Sequence, residues 1–497
     1  MSIRKQSIIS SILVYIGFFI GLINTYFYVK NGSFTQEQFG LTKIFFDFGQ
    51  NMYAFASLGV IPIIYKFYPY YKDNIEDKKN DLLTWAMVAS LIGFIVVLIV
   101  GWYFEPLIVR KYNRTSPLIV YYYRWLFPFA MGMLFFSVIE GFCWAIQKTI
   151  ASNFLKETVM RCITTIFILL FYFKVIDFNT FIHLFAFLYI IIFFILLFYL
   201  KSINQLHFSF TVSRVTKKFK KKMFGMQILI FSGTVIVSVA ATIDSFVIAG
   251  FQSLAAVGVF TLAQYVANLI QVPQRSIQPV ATGVLSRAWK DKNMAEIFRI
   301  YQRSSINLLI LSLFIFGNVW LNIKQGMQLV SVQTNYEAGL NTLLVLAFAR
   351  IIDAGTGLNS FVINTSTRWR FDFVSGIILL AFRLPLTWFL IKHYGIIGSA
   401  FADLFAVSIY NFIRYEFLRR TFNMQPFNAK TLYTLLLAFG AYFICFFLLN
   451  NVSGWIGIFA RSILFSALII GGTFYLKLTP DALQLLDNFK KRFAIRK

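Results

Sequence analysis

Long apolar runs separated by short polar interruptions set the pattern of the whole chain. Runs such as SIISSILVYIGFFIGLINTYFYV and LLTWAMVASLIGFIVVLIVGWYF exceed the ~20 residues that carry a helix, at about 1.5 Å per residue, through a ~30 Å hydrocarbon core. The runs are continuous rather than alternating over segments of about ten residues, so the pattern predicts membrane-spanning helices and not a barrel. Fourteen spans are expected, near 8–29, 40–64, 82–103, 118–142, 152–173, 178–200, 224–249, 255–280, 304–324, 338–362, 371–391, 396–418, 431–450 and 456–476.

Composition agrees: 58% of the 497 residues are hydrophobic and 13% charged, which removes the chain from the soluble globular class. The first run follows Arg4 and Lys5, is too long for a signal-peptide core and has no small-residue cleavage site, so it reads as a retained span. The fold class expected is an all-α integral membrane protein.

A net charge of +26 would fit a nucleic-acid partner, but the charges fall in alternate loops. With the N-terminus in the cytoplasm, the inner segments hold 31 of the 46 Lys and Arg residues and the outer loops hold 7. Cytoplasmic loops retain Lys and Arg, so the bias predicts both termini inside and no nucleic-acid partner. The longest connection, SINQLHFSFTVSRVTKKFKKKMF, carries the densest basic run. It divides the chain into a six-helix lobe (1–200), a basic cytoplasmic linker (201–223), a second six-helix lobe (224–420), a final helix pair (421–476) and a basic tail (477–497). In the tail, Thr479 is placed to cap a helix with Pro480 at its first position. Leu483, Leu486 and Phe493 then share a face that would lie on the inner leaflet, lysines toward anionic lipid. The halves echo each other weakly: FTQEQ precedes a helix entered at Gly40, and span eight, LAAVGVFTLAQYVANLIQVPQRSIQPV, is entered at Gly258, which points to a parallel repeat.

The polar residues inside spans are where function is sought. Gln264, Asn268, Gln271, Arg275 and Gln278 recur at steps of four and three, giving span eight one continuous polar face. Pro273 and Pro279 in the same helix each remove a backbone donor, which is tolerable beside protein or a watery cavity. The face reads either as a cavity lining or as interhelical hydrogen-bond glue. Span two has a similar face in Lys43, Asp47 and Gln50 or Asn51, where Lys43 and Asp47 can also simply neutralise each other one turn apart.

Further charges within spans are Arg124, Glu140, Glu157, Arg161, Asp244, Arg350, Asp353, Asp372, Arg383, Asp403 and Arg461. A lipid-facing charge costs ~2.5–3.5 kcal/mol or more at mid-bilayer, so each marks a bundle interior or a pathway. Glu157 with Arg161, and Arg350 with Asp353, are spaced to pair locally. Arg383 and Arg275 have no acid within a turn and are the foremost candidate cavity cations, ahead of Arg124, Arg350 and Arg161. Arginine stays ionised at depth and grips phosphate or diphosphate with paired hydrogen bonds. Asp47, Asp244 and Asp353 either balance these charges or take up and release coupling protons.

No nucleotide loop, metal-ligand spacing or nucleophile elbow occurs, and no cofactor is expected. His183, His207 and His393 are isolated, and Cys143, Cys162 and Cys445 sit in apolar runs as packing residues.

EQFGLTKIFFD with SLGV and KFYPYYKD, AAVGVFTLAQYVANLIQVPQRSI, GLNSFVINTSTRWR and YGIIGSAFADLF together resemble the Wzx-type polysaccharide flippases of the multidrug/oligosaccharidyl-lipid/polysaccharide exporter superfamily. The resemblance covers nearly the whole chain. It implies two six-helix lobes around a central cationic cavity, alternating access, and a lipid-linked oligosaccharide whose diphosphate and glycan cross inside while the polyprenyl tail stays in the bilayer. It also implies a bacterial inner-membrane, non-enzymatic transporter for O-antigen or other lipopolysaccharide assembly, working beside a polysaccharide polymerase or glycosyltransferases. An ion-coupled multidrug exporter of the same superfamily is the alternative. A major-facilitator transporter is disfavoured because KFYPYYKDNIEDKKND lacks that family's G-x-x-x-D-R-x-G-R pattern. A glycan polymerase or ligase would be expected to carry a large outer loop, whereas the longest here are about fifteen residues.

Overall fold

Threonine 35 opens the helix Gln36–Ala56 with a capping box: its hydroxyl accepts from the Gln38 N–H while the Gln38 side chain accepts from the Thr35 N–H. The same economy, a small polar residue closing the orphan N–H groups of a helix, recurs at Asp177, Ser213, Asn293 and Asn428. At Asp177 the hydrogen bonds from Thr180 hold the carboxyl below its ordinary value. The computed structural model describes residues 3–481, and all regular elements among them are helices. The expected all-α membrane architecture is the observed one. The expectation for the tail beyond Asp481 lies outside the described residues.

Every expected span coincides with helical structure. Among the described residues, eleven helical segments are long and apolar enough to cross a membrane, and Ile16–Val29 adds a shorter apolar one. The other two expected spans, 40–64 and 152–173, are helical but interrupted. Gln36–Ala56 ends at Ser57, and a second helix, Val60–Asn74, restarts after Leu58 and Gly59, both at positive φ. Gly59 is needed twice over, since its φ is 72° and a Cβ there would lie 2.9 Å from the Gln227 carbonyl oxygen. Thr149–Asn153 runs into a π-helical turn, Phe154–Val159, before Met160–Tyr172. Span eight is also divided: Leu254–Asn268 and Val272–Lys290 meet at a 3-10 turn, Leu269–Gln271, directly ahead of Pro273, whose ring excludes the α-helical carbonyl arrangement four residues back.

The phenylalanine content fills the helix seams. Phe45, Phe129, Phe181 and Phe185 are fully buried, with the Phe129 and Phe185 rings stacked at 5.4 Å. Among the later helices, Leu285, Ile297, Tyr301, Val362, Ile363 and Leu418 form one core. The pair Ala429–Leu449 and Gly454–Tyr475 buries Ala441, Cys445 and Phe465 against Met294–Leu329. The three cysteines are free thiols.

Backbone contacts divide the chain into two units, Met1–Gly258 and Val259–Lys497, so the basic connection 201–223 lies within the first. In that unit the two echoing glycines meet: a Cβ on Gly40 would lie 2.1 Å from the Leu254 carbonyl oxygen, and one on Gly258 would lie 2.3 Å from that of Gln36. Only glycine permits this backbone approach.

Candidate functional site

In the first unit the polar face of Gln36–Ala56 is largely a helix seam. Lys43 Nζ donates to Asp47 Oδ1 at 2.7 Å, the local pair that their spacing allows. Asp47 is buried beside Ser245, and Asp244, also buried, lies within coulombic range of it. One turn on, Asn51 Nδ2 donates to Thr242 Oγ1 at 2.8 Å and Ser238 Oγ donates to Asn51 Oδ1 at 2.9 Å. Asn51 therefore faces the helix Arg214–Phe251, while Gln50, next to it, borders a cavity of about 330 Å³.

The π turn arranges two more ion pairs. Lys156 Nζ reaches Glu140 at 2.9 Å, and Glu157 accepts from Arg161 Nη2 at 2.9 Å while Arg161 Nη1 donates to the Gly17 carbonyl at 2.6 Å. Arg161 thus sits in the local pair its spacing allows. Arg124 lies elsewhere: it is in the 3-10 turn Tyr123–Trp125, its side chain is 81% exposed, and it pairs with Glu105.

The second unit gathers the arginines. Asp403, buried in Ile396–Phe422, receives Arg350 Nη2 at 3.0 Å and Arg383 Nη2 at 3.3 Å. This corrects two expectations. Arg383 does not lack an acid, since its partner is twenty residues away on the next helix, and Arg350 turns to Asp403, with Asp353 held elsewhere. Asp353 accepts from Gln271 Nε2 at 2.9 Å and from Asn411 Nδ2 at 3.1 Å. Asn411 Oδ1 in turn accepts from Asn359 and Thr356. Arg275, on the exposed side of Val272–Lys290, has no ion pair among the described residues but lies within coulombic range of Arg350. Gln264 and Asn268 are half-buried on the preceding helix.

Arg350 and Arg383 thus share the Asp403 carboxylate, and Arg275 lies within coulombic range of Arg350. Such a site, with guanidinium donors in fixed directions, suits an anion with several oxygens.

The arrangement also contains a charge that the sequence reading did not single out. Arg414 is 3% exposed, pairs with Asp372, donates to Ser375 Oγ at 3.1 Å and lies 3.8 Å over the Tyr410 ring. Asp403, Val407, Asn411 and Arg414 follow at steps of four, four and three, a face that the spacing alone could have revealed.

No protein-family model matches the chain, and no curated protein matches it in sequence. Solved structures do. The lipid II flippase MurJ in an inward closed conformation aligns with a TM-score of 0.72 at 15% identity, over 95% of this chain and 99% of that one. The chain shares that protein's fold. An inward-facing multidrug resistance MATE transporter of the MOP superfamily aligns at 0.62 with 13% identity, over 83% of this chain and 98% of its own. A MOP superfamily transporter from Pyrococcus furiosus aligns at 0.51 with 15% identity, over 84% and 96%. MOP proteins with these names are transporters and flippases, and the chain shares their membrane-embedded, multi-helix architecture.

Proposed function

We propose that this protein is a flippase that moves a lipid-linked, undecaprenyl-diphosphate oligosaccharide from the inner to the outer leaflet of the bacterial inner membrane by alternating access, for lipopolysaccharide or other surface polysaccharide assembly. One observation carries the reading: Arg350 and Arg383 converge on the buried carboxylate of Asp403, which gathers two guanidinium groups at one place within the spans. A diphosphate brings negative charge and several acceptor oxygens that such guanidinium groups can grip, while the flanking sugars need only neutral polar groups. The extent of the structural likeness supports the same choice. The MurJ alignment covers 95% of the chain and the MATE alignment 83%.

The second reading, an ion-coupled exporter of drugs or other small molecules, is favoured by the MATE likeness. It does not account for paired arginines around one acid. The deciding experiment replaces Arg383 and Arg275 singly by glutamine and measures surface glycan at unchanged protein level. Loss of a charge-assisted contact to phosphate lowers surface glycan by about tenfold or more. Full activity in both variants, or cationic-drug resistance without a glycan phenotype, would replace the flippase reading by the exporter one.

A further inference from the structure

We infer that the cavity between Gln36–Ala56, Val60–Asn74, Leu126–Ala145 and the π turn Phe154–Val159 is a binding site for one pyranose ring of a neutral sugar, a glycan subsite resting on the flippase reading above. Its volume of about 330 Å³ is at the lower end of the range for small-molecule sites, ~300–1,000 Å³, and so suits a single sugar residue rather than a whole oligosaccharide.

Three features of the lining point to a sugar. The first is unspent hydrogen-bonding capacity. Gln50, Tyr53, Tyr65 and Ser137 all border the cavity, and among the described residues their side-chain polar atoms have no hydrogen-bond partner in the protein. An amide and three hydroxyls converging on one space offer both donors and acceptors, which is what a ring of hydroxyls requires.

The second is the aromatic surface beside those polar tips. Phe46, Tyr53, Tyr65 and Tyr189 border the cavity, and Tyr65 is held from outside it by Trp144, the two rings nearly parallel with centroids 6.0 Å apart and planes at 13°. The negative faces of such rings attract the polarised C–H edges of a pyranose, a contact that a flexible alkyl chain does not need.

The third is the charge state. Glu140 is buried but neutralised by Lys156, which reaches its two oxygens at 2.9 and 3.2 Å. A bare carboxylate among aromatic rings would favour an organic cation, and a bare ammonium would favour phosphate. The compensated pair favours neither, yet its remaining lone pairs are free to accept sugar hydroxyls. The π turn supplies this geometry, because its inserted residue re-aims the side chains of the turn, Lys156 among them.

The test uses the full-length protein in lipid nanodiscs, free of glycoside detergents, and saturation-transfer NMR with the methyl glycosides of glucose, galactose and N-acetylglucosamine. Tetraphenylphosphonium and inorganic pyrophosphate are the competing probes. The expected result is saturation of ring protons in at least one glycoside, with affinity lowered about tenfold in Tyr65→Ala and in Gln50→Ala and neither probe displacing the sugar. Should Tyr65→Ala fail to fold, Tyr53→Phe and Ser137→Ala each remove one polar atom and leave the walls in place. No saturation of any glycoside, equal binding in all folded variants, or displacement by tetraphenylphosphonium would overturn the inference. The two proposals fail separately: lost surface glycan in Arg383→Gln without glycoside binding removes the sugar site alone. Glycoside binding with full surface glycan in Arg383→Gln and Arg275→Gln removes the role of the arginines instead.

Discussion

Asp403 and Arg383 touch each other, yet their removal should have opposite kinds of consequence. Asp403→Asn removes the buried carboxylate on which two guanidinium groups converge, and breaking a buried ion pair in this way costs about 3–5 kcal/mol. Arg383→Gln leaves the Arg350–Asp403 pair intact and neutral. Thermal unfolding in detergent should therefore show a markedly lowered midpoint for Asp403→Asn and a midpoint near wild type for Arg383→Gln, which instead loses surface glycan. Equal midpoints would mean that Asp403 does not hold the cluster together. The sequence made each of these charges visible, because a charge in an apolar run stands out. What it could not reveal was the pairing. Lys43 with Asp47 and Glu157 with Arg161 were legible since their partners lie one turn away. Arg350 and Asp403 are brought together only by the packing of separate helices, so neighbour counting assigned Arg350 to Asp353 and left Arg383 without an acid.

Helices in this chain are broken where the polar side chains are needed. Gly59 breaks the second span next to Tyr53 and Tyr65, the π turn breaks the fifth at Lys156, and the 3-10 turn breaks the eighth at Gln271. Pro273 made the last of these foreseeable, and SLGV held the glycine of the first, although hydropathy smoothed over it. The π turn has no signature in FLKETV. Two substitutions separate backbone need from packing. Gly59→Ala places a side chain at φ 72° and against the Gln227 carbonyl, and should cost about 1–3 kcal/mol in thermal or denaturant unfolding. Gly40→Val intrudes on the Leu254 carbonyl itself, with no flexible side chain to give way, and should reduce the yield of monodisperse protein more severely than Gly59→Ala. The reverse order would show that the Gly40–Gly258 approach tolerates separation.

For the whole molecule, the direction of transport depends on which end of each helix faces the cytoplasm. Large apolar side chains such as Phe439, Phe447, Phe459 and Ile463 are exposed on the final helix pair, as lipid-covered surfaces are. That exposure fixes what lies in the bilayer but is blind to its two sides. The distinction comes from charge alone: 31 Lys and Arg residues in one set of end segments against 7 in the other. A direct check replaces Cys143 and Cys445 by alanine and Cys162 by serine, then introduces single cysteines at Lys79, Lys218 and Arg114. A membrane-impermeant maleimide should label Arg114→Cys in spheroplasts and reach Lys79→Cys and Lys218→Cys only after the membrane is opened. Labelling in the opposite sense would put the basic segments outside. A cargo assembled on a lipid in the cytoplasm would then meet the arginine cluster from the wrong side, so this result would also remove the inner-to-outer direction of the proposed flippase.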